Sequence, residues 1–420
     1  MGTLNETVSA ERLHIAFFGK RNAGKSSLVN AVTGQKLAVV SPVKGTTTDP
    51  VQKAMEILPL GPVVIIDTPG YDDAGELGAL RVEKTNEVLN KTDIAVLVYD
   101  AASGMSAEDE SLLEKLKARK LPVILAANKA DLVGTVIGRP QNEETVSSTP
   151  LRSAQNDKAG TPDAIPVSAL TGEGVNELRE RLADLGRAAK TPKFILADLV
   201  SPGDTVILVI PIDESAPKGR LILPQQQTLR ELLDLHCVPI CCQVEEVPAV
   251  LNDLNRPPRL VVTDSQAFGK VSPLVPERIQ LTSFSILFAR YKGQLATLAA
   301  GARALSNLRD GARVLISEGC THHRQCNDIG TVKIPGWVRN YTGKTLEFSF
   351  SSGGEFPEDL SGFDLVIHCG GCMLNESAMQ HRIAVAQAAG VPMVNYGMAI
   401  AQMHGILARS LEPFAAELSD

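Results

Sequence analysis

The sequence has no surplus of positive charge with which to hold a polyanion: 41 Lys and Arg stand against 48 Asp and Glu in 420 residues, a formal charge of -7. That balance disfavours a dedicated nucleic-acid binder working by counterion release. No apolar run approaches the roughly 20 residues of a membrane span, and Val206 to Ile210 is among the longest. The polar start, Met1-Gly-Thr-Leu-Asn-Glu-Thr, has no signal-peptide core, so a cytoplasmic location is expected, with neither membrane nor nucleic acid as a partner. Cysteine is missing from the first 236 residues, and all seven lie between Cys237 and Cys372. An odd number without an export signal argues against a disulfide framework and for thiol or metal chemistry. There is no short-period repeat and no low-complexity tract. At 44% hydrophobic and 21% charged, the chain reads as folded but too long for a single core.

What is present is an alternation of apolar strands and helical patterns, the signature of parallel α/β architecture. In the first part, strands are expected at Ile15–Phe18, Val63–Ile66, Ile94–Tyr99 and Pro122–Ala127, followed by a helix from Val175 to Arg187. Residues 133 to 163 are polar and form a long excursion. Ala188-Ala-Lys-Thr-Pro192 reads as a boundary. A middle segment offers strands Val206–Ile212 and Leu260–Thr263 around a helix Leu229–Leu235, too few strands for a self-contained sheet, so pairing of an exposed edge across a two-fold axis is expected. The last segment opens with one long helical pattern, Phe284 to Leu308, then gives strands Val314–Ser317, Leu365–His368 and Met393–Tyr396. Three domains are therefore expected, at 1–190, 191–276 and 277–420.

Gly19-Lys-Arg-Asn-Ala-Gly24-Lys25-Ser26 follows a strand and opens a helix, the context in which a phosphate-binding loop works. Backbone N–H groups of Gly19, Asn22, Ala23, Gly24 and Ser27 would face the phosphates, with Lys25 on the β and γ oxygens and Ser26 on Mg²⁺. Asp67-Thr-Pro-Gly70 supplies a carboxylate for the Mg²⁺ shell and, at Gly70, an N–H that can sense the γ-phosphate. Asn128-Lys129-Ala-Asp131 reads guanine, because the Asp131 carboxylate accepts from two donors that adenine lacks. Ser168 and Ala169 complete the base pocket. GTP and Mg²⁺ are the expected ligands, and Lys25 and Gly70 the residues expected to serve catalysis.

A second constellation lies far downstream. Cys320-Thr-His322-His323-Arg-Gln-Cys326 follows one strand, and His368-Cys369-Gly-Gly-Cys372 ends another. Both clusters sit past carboxyl ends of strands, where open parallel sheets bind ligands. If those strands are neighbours, the cysteines converge. Thiolates suit Zn²⁺ or an iron–sulfur cluster. Three cysteines with His322, His368, Cys326 and Asp328 competing for a fourth place fit a 4Fe-4S cluster with one accessible iron better than a closed zinc site. A redox-active Cys369–Cys372 pair is a further reading. Cys237, Cys241 and Cys242 read as small buried hydrophobes.

Residues 10 to 187 resemble the Era and MnmE-like branch of the translation-factor-related GTPases. Gly45-Thr-Thr-Thr-Asp49 is similar to that branch's switch motif, which implies Thr47 as a Mg²⁺ and γ-phosphate contact, although Thr48 stands where the branch has Arg. Asn22 matches the loop asparagine that helps hold K⁺ in potassium-activated members, and it also reads as an ordinary turn asparagine. Tyr71 stands where Ras-like enzymes place a water-orienting Gln, so the resemblance implies slow hydrolysis raised by a cation. With CxH and HCxxC elements placed after such a domain, the whole chain resembles HydF, the family of maturation GTPases of FeFe hydrogenases. That resemblance implies 4Fe-4S ligation by Cys320, Cys369 and Cys372, with His322 and His368 at a labile position. It also implies a diiron subcluster precursor as cargo, radical-SAM maturases and apo FeFe hydrogenase as partners, and a homodimer formed by the middle domain. The rival expectation is a tRNA- or ribosome-associated GTPase with a zinc-stabilised C-terminal domain.

Overall fold

A computed structural model describes residues 12–35, 50–58, 60–70, 84–133, 164–189, 193–212, 219, 221–319 and 328–418. The chain divides into two compact units, Glu11–Thr191 and Pro192 onward. No helix among the described residues is long and apolar enough to cross a membrane.

The first unit is built on a six-stranded sheet. Its strands are β1 (Leu13–Phe18), β2 (Val51–Ile57), β3 (Gly61–Asp67), β4 (Ile94–Asp100), β5 (Val123–Asn128) and β6 (Ile165–Pro166), in the order β2-β3-β1-β4-β5-β6. All pairings are parallel except β2 with β3. Ile15 to Phe18 and Ile94 to Val98 are fully buried, because helices cover both faces and each strand must be apolar throughout. β2 was not anticipated: Gln52, Lys53 and Glu56 are exposed, as suits an edge strand that alternates poorly. The helix Ala107–Ala118 starts where Ser106 and Asp109 cap each other, with acidic residues in its first turn and Lys115 and Lys117 in its last.

The second unit holds two four-stranded, wholly parallel sheets. The first comprises β7 (Thr205–Val209), β8 (Val238–Cys242), β9 (Leu260–Thr263) and β10 (Gln280–Ser283), in the order β10-β9-β7-β8. The other comprises β11 (Arg313–Ser317), β12 (Glu347–Ser351), β13 (Leu365–His368) and β14 (Met393–Asn395), in the order β12-β11-β13-β14. One continuous apolar core, from Ile195 to Phe414, serves both sheets.

Four expectations need correction here. The middle segment is a complete sheet, because β8 and β10 join the two expected strands. β10 lies past residue 276, so a boundary there would cut a strand hydrogen-bonded to β9. The long helix from Phe284 is two helices, Phe284–Tyr291 and Leu295–Ala304. Gly293 takes φ +71 between them, and Gly293 and Gln294 donate back to Arg290 and Ala289, which closes the first helix. Cys237 and Cys242 are buried as expected, whereas Cys241 is exposed on the edge strand β8.

Candidate functional site

The phosphate loop leaves β1 and enters the helix Lys25–Thr33. Two glycines are required by close approach. A Cβ on Gly19 would lie 2.1 Å from the Val98 carbonyl oxygen, and one on Gly24, at φ +86, would lie 2.2 Å from Asn128 Nδ2. Lys25 is buried, and its Nζ donates to the carbonyls of Gly19 and Lys20, both at 2.7 Å. These neutral carbonyl oxygens can be exchanged for phosphate oxygens. Ser26 Oγ donates to Asp67 Oδ2 at 2.5 Å. Asp67 is buried, and its other oxygen, Oδ1, has no hydrogen-bond partner among the described residues. Burial raises its pKa, against the Ser26 hydrogen bond and the Lys25 charge. An unpaired buried carboxylate oxygen beside a hydroxyl is a donor set that fits Mg²⁺.

The base-reading end is tied to the same loop. Asn128 donates from Nδ2 to the Ala23 carbonyl at 2.9 Å, while its Oδ1 accepts from the Ala169 N–H at 3.1 Å. Lys129, at φ +63, pairs with Asp100 at 2.7 Å, and Ser168 Oγ accepts from the Thr171 N–H at 3.1 Å. Asp131 lies in the first turn of the short helix Ala130–Val133 that follows. Gly19, Asn22, Ala23, Gly24, Lys25, Ser26, Ser27, Asp67, Gly70, Asn128, Lys129, Asp131, Ser168 and Ala169 all come from segments at or following the carboxyl ends of β1, β3, β5 and β6. Thr47 and Tyr71 lie outside the described residues.

In the second unit, β11 and β13 are parallel neighbours with Ser317 opposite His368. The sheet order reverses between them, which makes this the crevice of the sheet. The Gly319 N–H donates to Cys369 Sγ at 3.0 Å, so the turn leading to Cys320 touches the CxxC turn. Gly371, at φ +60, adds a second N–H to the same sulfur at 3.3 Å. Burial nevertheless pushes the Cys369 thiol up to about 11, so a thiolate at this sulfur needs a cation beside it. Cys372 is exposed. Cys320, His322 and Cys326 lie outside the described residues, and among the described residues no three His, Cys, Asp or Glu side chains are grouped to hold an ion.

His368 is placed differently from the labile ligand expected of it. Its ring is fully buried, Nδ1 meets the Cys369 carbonyl at 2.6 Å, and Nε2 meets Arg382 Nη1 at 2.7 Å. Burial, and next the Arg382 charge, lower its pKa to about 3. With the arginine donating to Nε2, the proton belongs on Nδ1 and both ring nitrogens are engaged. Asp328 is also committed, accepting from the N–H and hydroxyl of Thr331 at 2.8 and 2.9 Å.

Comparison with protein families matches the hydrogen maturase F dimerization domain over residues 195–293 and the hydrogen maturase F tetramerization domain over residues 296–413. The chain belongs to the hydrogen maturase F family. The N-terminal residues 14–129 match the 50S ribosome-binding GTPase family, so this is a hydrogenase maturation GTPase with two oligomerization domains behind its nucleotide domain. GTPase Era of Rippkaea orientalis is 31% identical over 240 residues, 56% of this chain and 69% of that protein. The tRNA modification GTPase MnmE of Clostridioides difficile is 34% identical over 42% of this chain, which spans only 35% of that relative. Among solved structures, an Aquifex aeolicus Era variant bound to GDP and aluminium fluoride is 20% identical, with a TM-score of 0.33 over 54% of this chain and 91% of that one. NFeoB from S. thermophilus, bound to GDP, aluminium fluoride and K⁺, is 23% identical, with a TM-score of 0.31 over 41% and 61%.

In this hydrogen maturase F chain the sequence reading passed over Ser317, Glu318, Gly319 and Arg382, which surround the cysteine turns. Glu318 is buried and accepts from the Tyr396 hydroxyl at 3.3 Å. Arg382 carried a legible signal. It falls in the buried stripe Met379, Arg382, Ile383 and Ala386 of the helix Glu376–Ala388, where an amphipathic helix places apolar residues.

Proposed function

We propose that this chain is a GTP-hydrolysing scaffold that binds a 4Fe-4S cluster through Cys320, Cys369 and Cys372, receives a diiron subcluster precursor from radical-SAM maturases and delivers it to apo FeFe hydrogenase. The observation that carries the reading is the pairing of β11 with β13, with the Gly319 N–H on Cys369 Sγ, because it sets Gly319, the residue before Cys320 in sequence, against the CxxC turn. The donor chemistry fits an anionic sulfur ligand: two N–H groups point at Cys369 Sγ and a buried guanidinium lies close by. When bound, the cluster would supply an iron open to the incoming precursor. The raised Cys369 thiol speaks against a CxxC oxidoreductase, which works through a thiolate of lowered pKa.

In the nucleotide unit, the loop N–H groups and Lys25 hold the phosphates, Ser26, Asp67 and Thr47 would ligate Mg²⁺, and Asp131 selects guanine. Charge stabilisation by a monovalent cation beside Asn22 takes the place of an arginine finger. Anaerobic reconstitution followed by iron and sulfide analysis and EPR tests the scaffold reading. Brown protein with about four irons per chain, the content of one 4Fe-4S cluster, is expected. Colourless protein holding zinc, or metal-free protein with a reducible Cys369–Cys372 disulfide, would reject it.

A further inference from the structure

Arg382 is buried and donates to Ser317 Oγ at 3.3 Å, to His368 Nε2 at 2.7 Å and to the Gly353 carbonyl, with its guanidinium 5.1 Å from the centre of the Phe356 ring. Every one of these partners is neutral, and among the described residues no carboxylate pairs with it. Ser317 Oγ, moreover, accepts from Ser351 Oγ, so that arm of the network ends in hydroxyls. Buried cations without a counter-ion are rare because desolvation is not repaid. Arg382 reaches the CxxC turn through the His368 ring, whose other nitrogen meets the Cys369 carbonyl, so its uncompensated charge lies directly behind that cysteine.

We propose that Arg382 is the counter-charge of the cluster site: it compensates the anionic thiolate-bound cluster from beneath the cysteine turns and thereby raises its reduction potential. The inference rests on the cluster reading above. A cubane gains negative charge with each electron it takes up, and a fixed cation in a dry site stabilises the reduced form more than the oxidised one. The same guanidinium occupies His368 Nε2 and so keeps that imidazole off the metal. Arg382 acts through charge and through His368, and it touches no reacting atom.

The test is an anaerobic titration with dithionite, which supplies the electron, followed by EPR on the reconstituted full chain in unaltered, Arg382→Gln and Arg382→Lys forms. R382Q should disfavour the reduced cluster at least tenfold, a drop of about 59 mV for a one-electron couple. R382K, which keeps the charge, should retain most of the original potential. Iron-loaded R382Q at the unaltered potential would overturn the inference and leave the cluster reading standing. Unaltered protein that takes up no iron overturns the cluster reading and, with it, this inference. Should R382Q fail to fold, R382K decides: a potential near the original supports the charge role, and a tenfold loss in spite of the retained charge overturns it.

Discussion

Asn22 sits at φ +63, where a Cβ costs about 1–2 kcal/mol and Asn is one of the few residues that lower the cost by local hydrogen bonding. Conformation alone therefore accounts for an asparagine in the loop, and the cation role needs a variant that leaves the backbone at ease. Asn22→Gly is that variant, since glycine accepts the same φ and removes only the carboxamide. In the unaltered protein, phosphate release should be several-fold faster in KCl than in NaCl at equal ionic strength. N22G should lose that difference while still binding nucleotide. Equal rates in the two salts for the unaltered protein would leave Asn22 as a turn residue only. Such local constraints are what made the nucleotide site legible: Gly19, Gly24, Lys25 and Ser26 lie within eight consecutive positions. The surroundings of Cys369 were not, because the Gly319 N–H reaches it from a turn far away in sequence and Arg382 closes on the neighbouring His368 from a helix.

At the scale of elements, the helix Lys25–Thr33 has a left-handed glycine at each end, and the two ends differ in what a side chain would meet. Gly34 has open space, so Gly34→Ala bears only the left-handed cost. Gly24→Ala bears that cost and also drives into Asn128, breaking the bridge from Ala23 to Ala169 that holds the phosphate and base loops in register. Leaving those buried groups unpaired costs about 1–3 kcal/mol more. GDP affinity, read with a fluorescent nucleotide, should fall roughly 100-fold in G24A, since about 3 kcal/mol is two decades, and change little in G34A. Comparable losses in both would mean that Asn128 adapts. Strands buried on both faces, β1 and β4, declared themselves by continuous apolar runs. β8 and β12 did not, since Pro239 interrupts the one and Ser349 and Ser351 dilute the other, and each takes its place only by pairing with β7 or β11.

At the scale of the whole molecule, the distribution of cores sets how ligands can stabilise it. The nucleotide unit has its own two apolar clusters on the two faces of its sheet, whereas one core runs through both sheets of the second unit. Units with separate cores unfold as separate transitions, so the two sheets behind residue 193 should melt together and the nucleotide unit apart from them. A ligand stabilises only the unit whose folded form binds it, by about 2.7 kcal/mol at a hundred times its dissociation constant. For a unit of this size that amounts to roughly 5–10 °C. Calorimetry should therefore show GDP with Mg²⁺ raising one transition and cluster reconstitution raising the other. Cys369→Ala should abolish the second shift, leaving the first shift and the rate of GTP hydrolysis as they were. A single transition that both ligands raise would mean that the two units unfold as one, and a loss of GTP hydrolysis in the cysteine variant would mean that the nucleotide site depends on the cysteine turns.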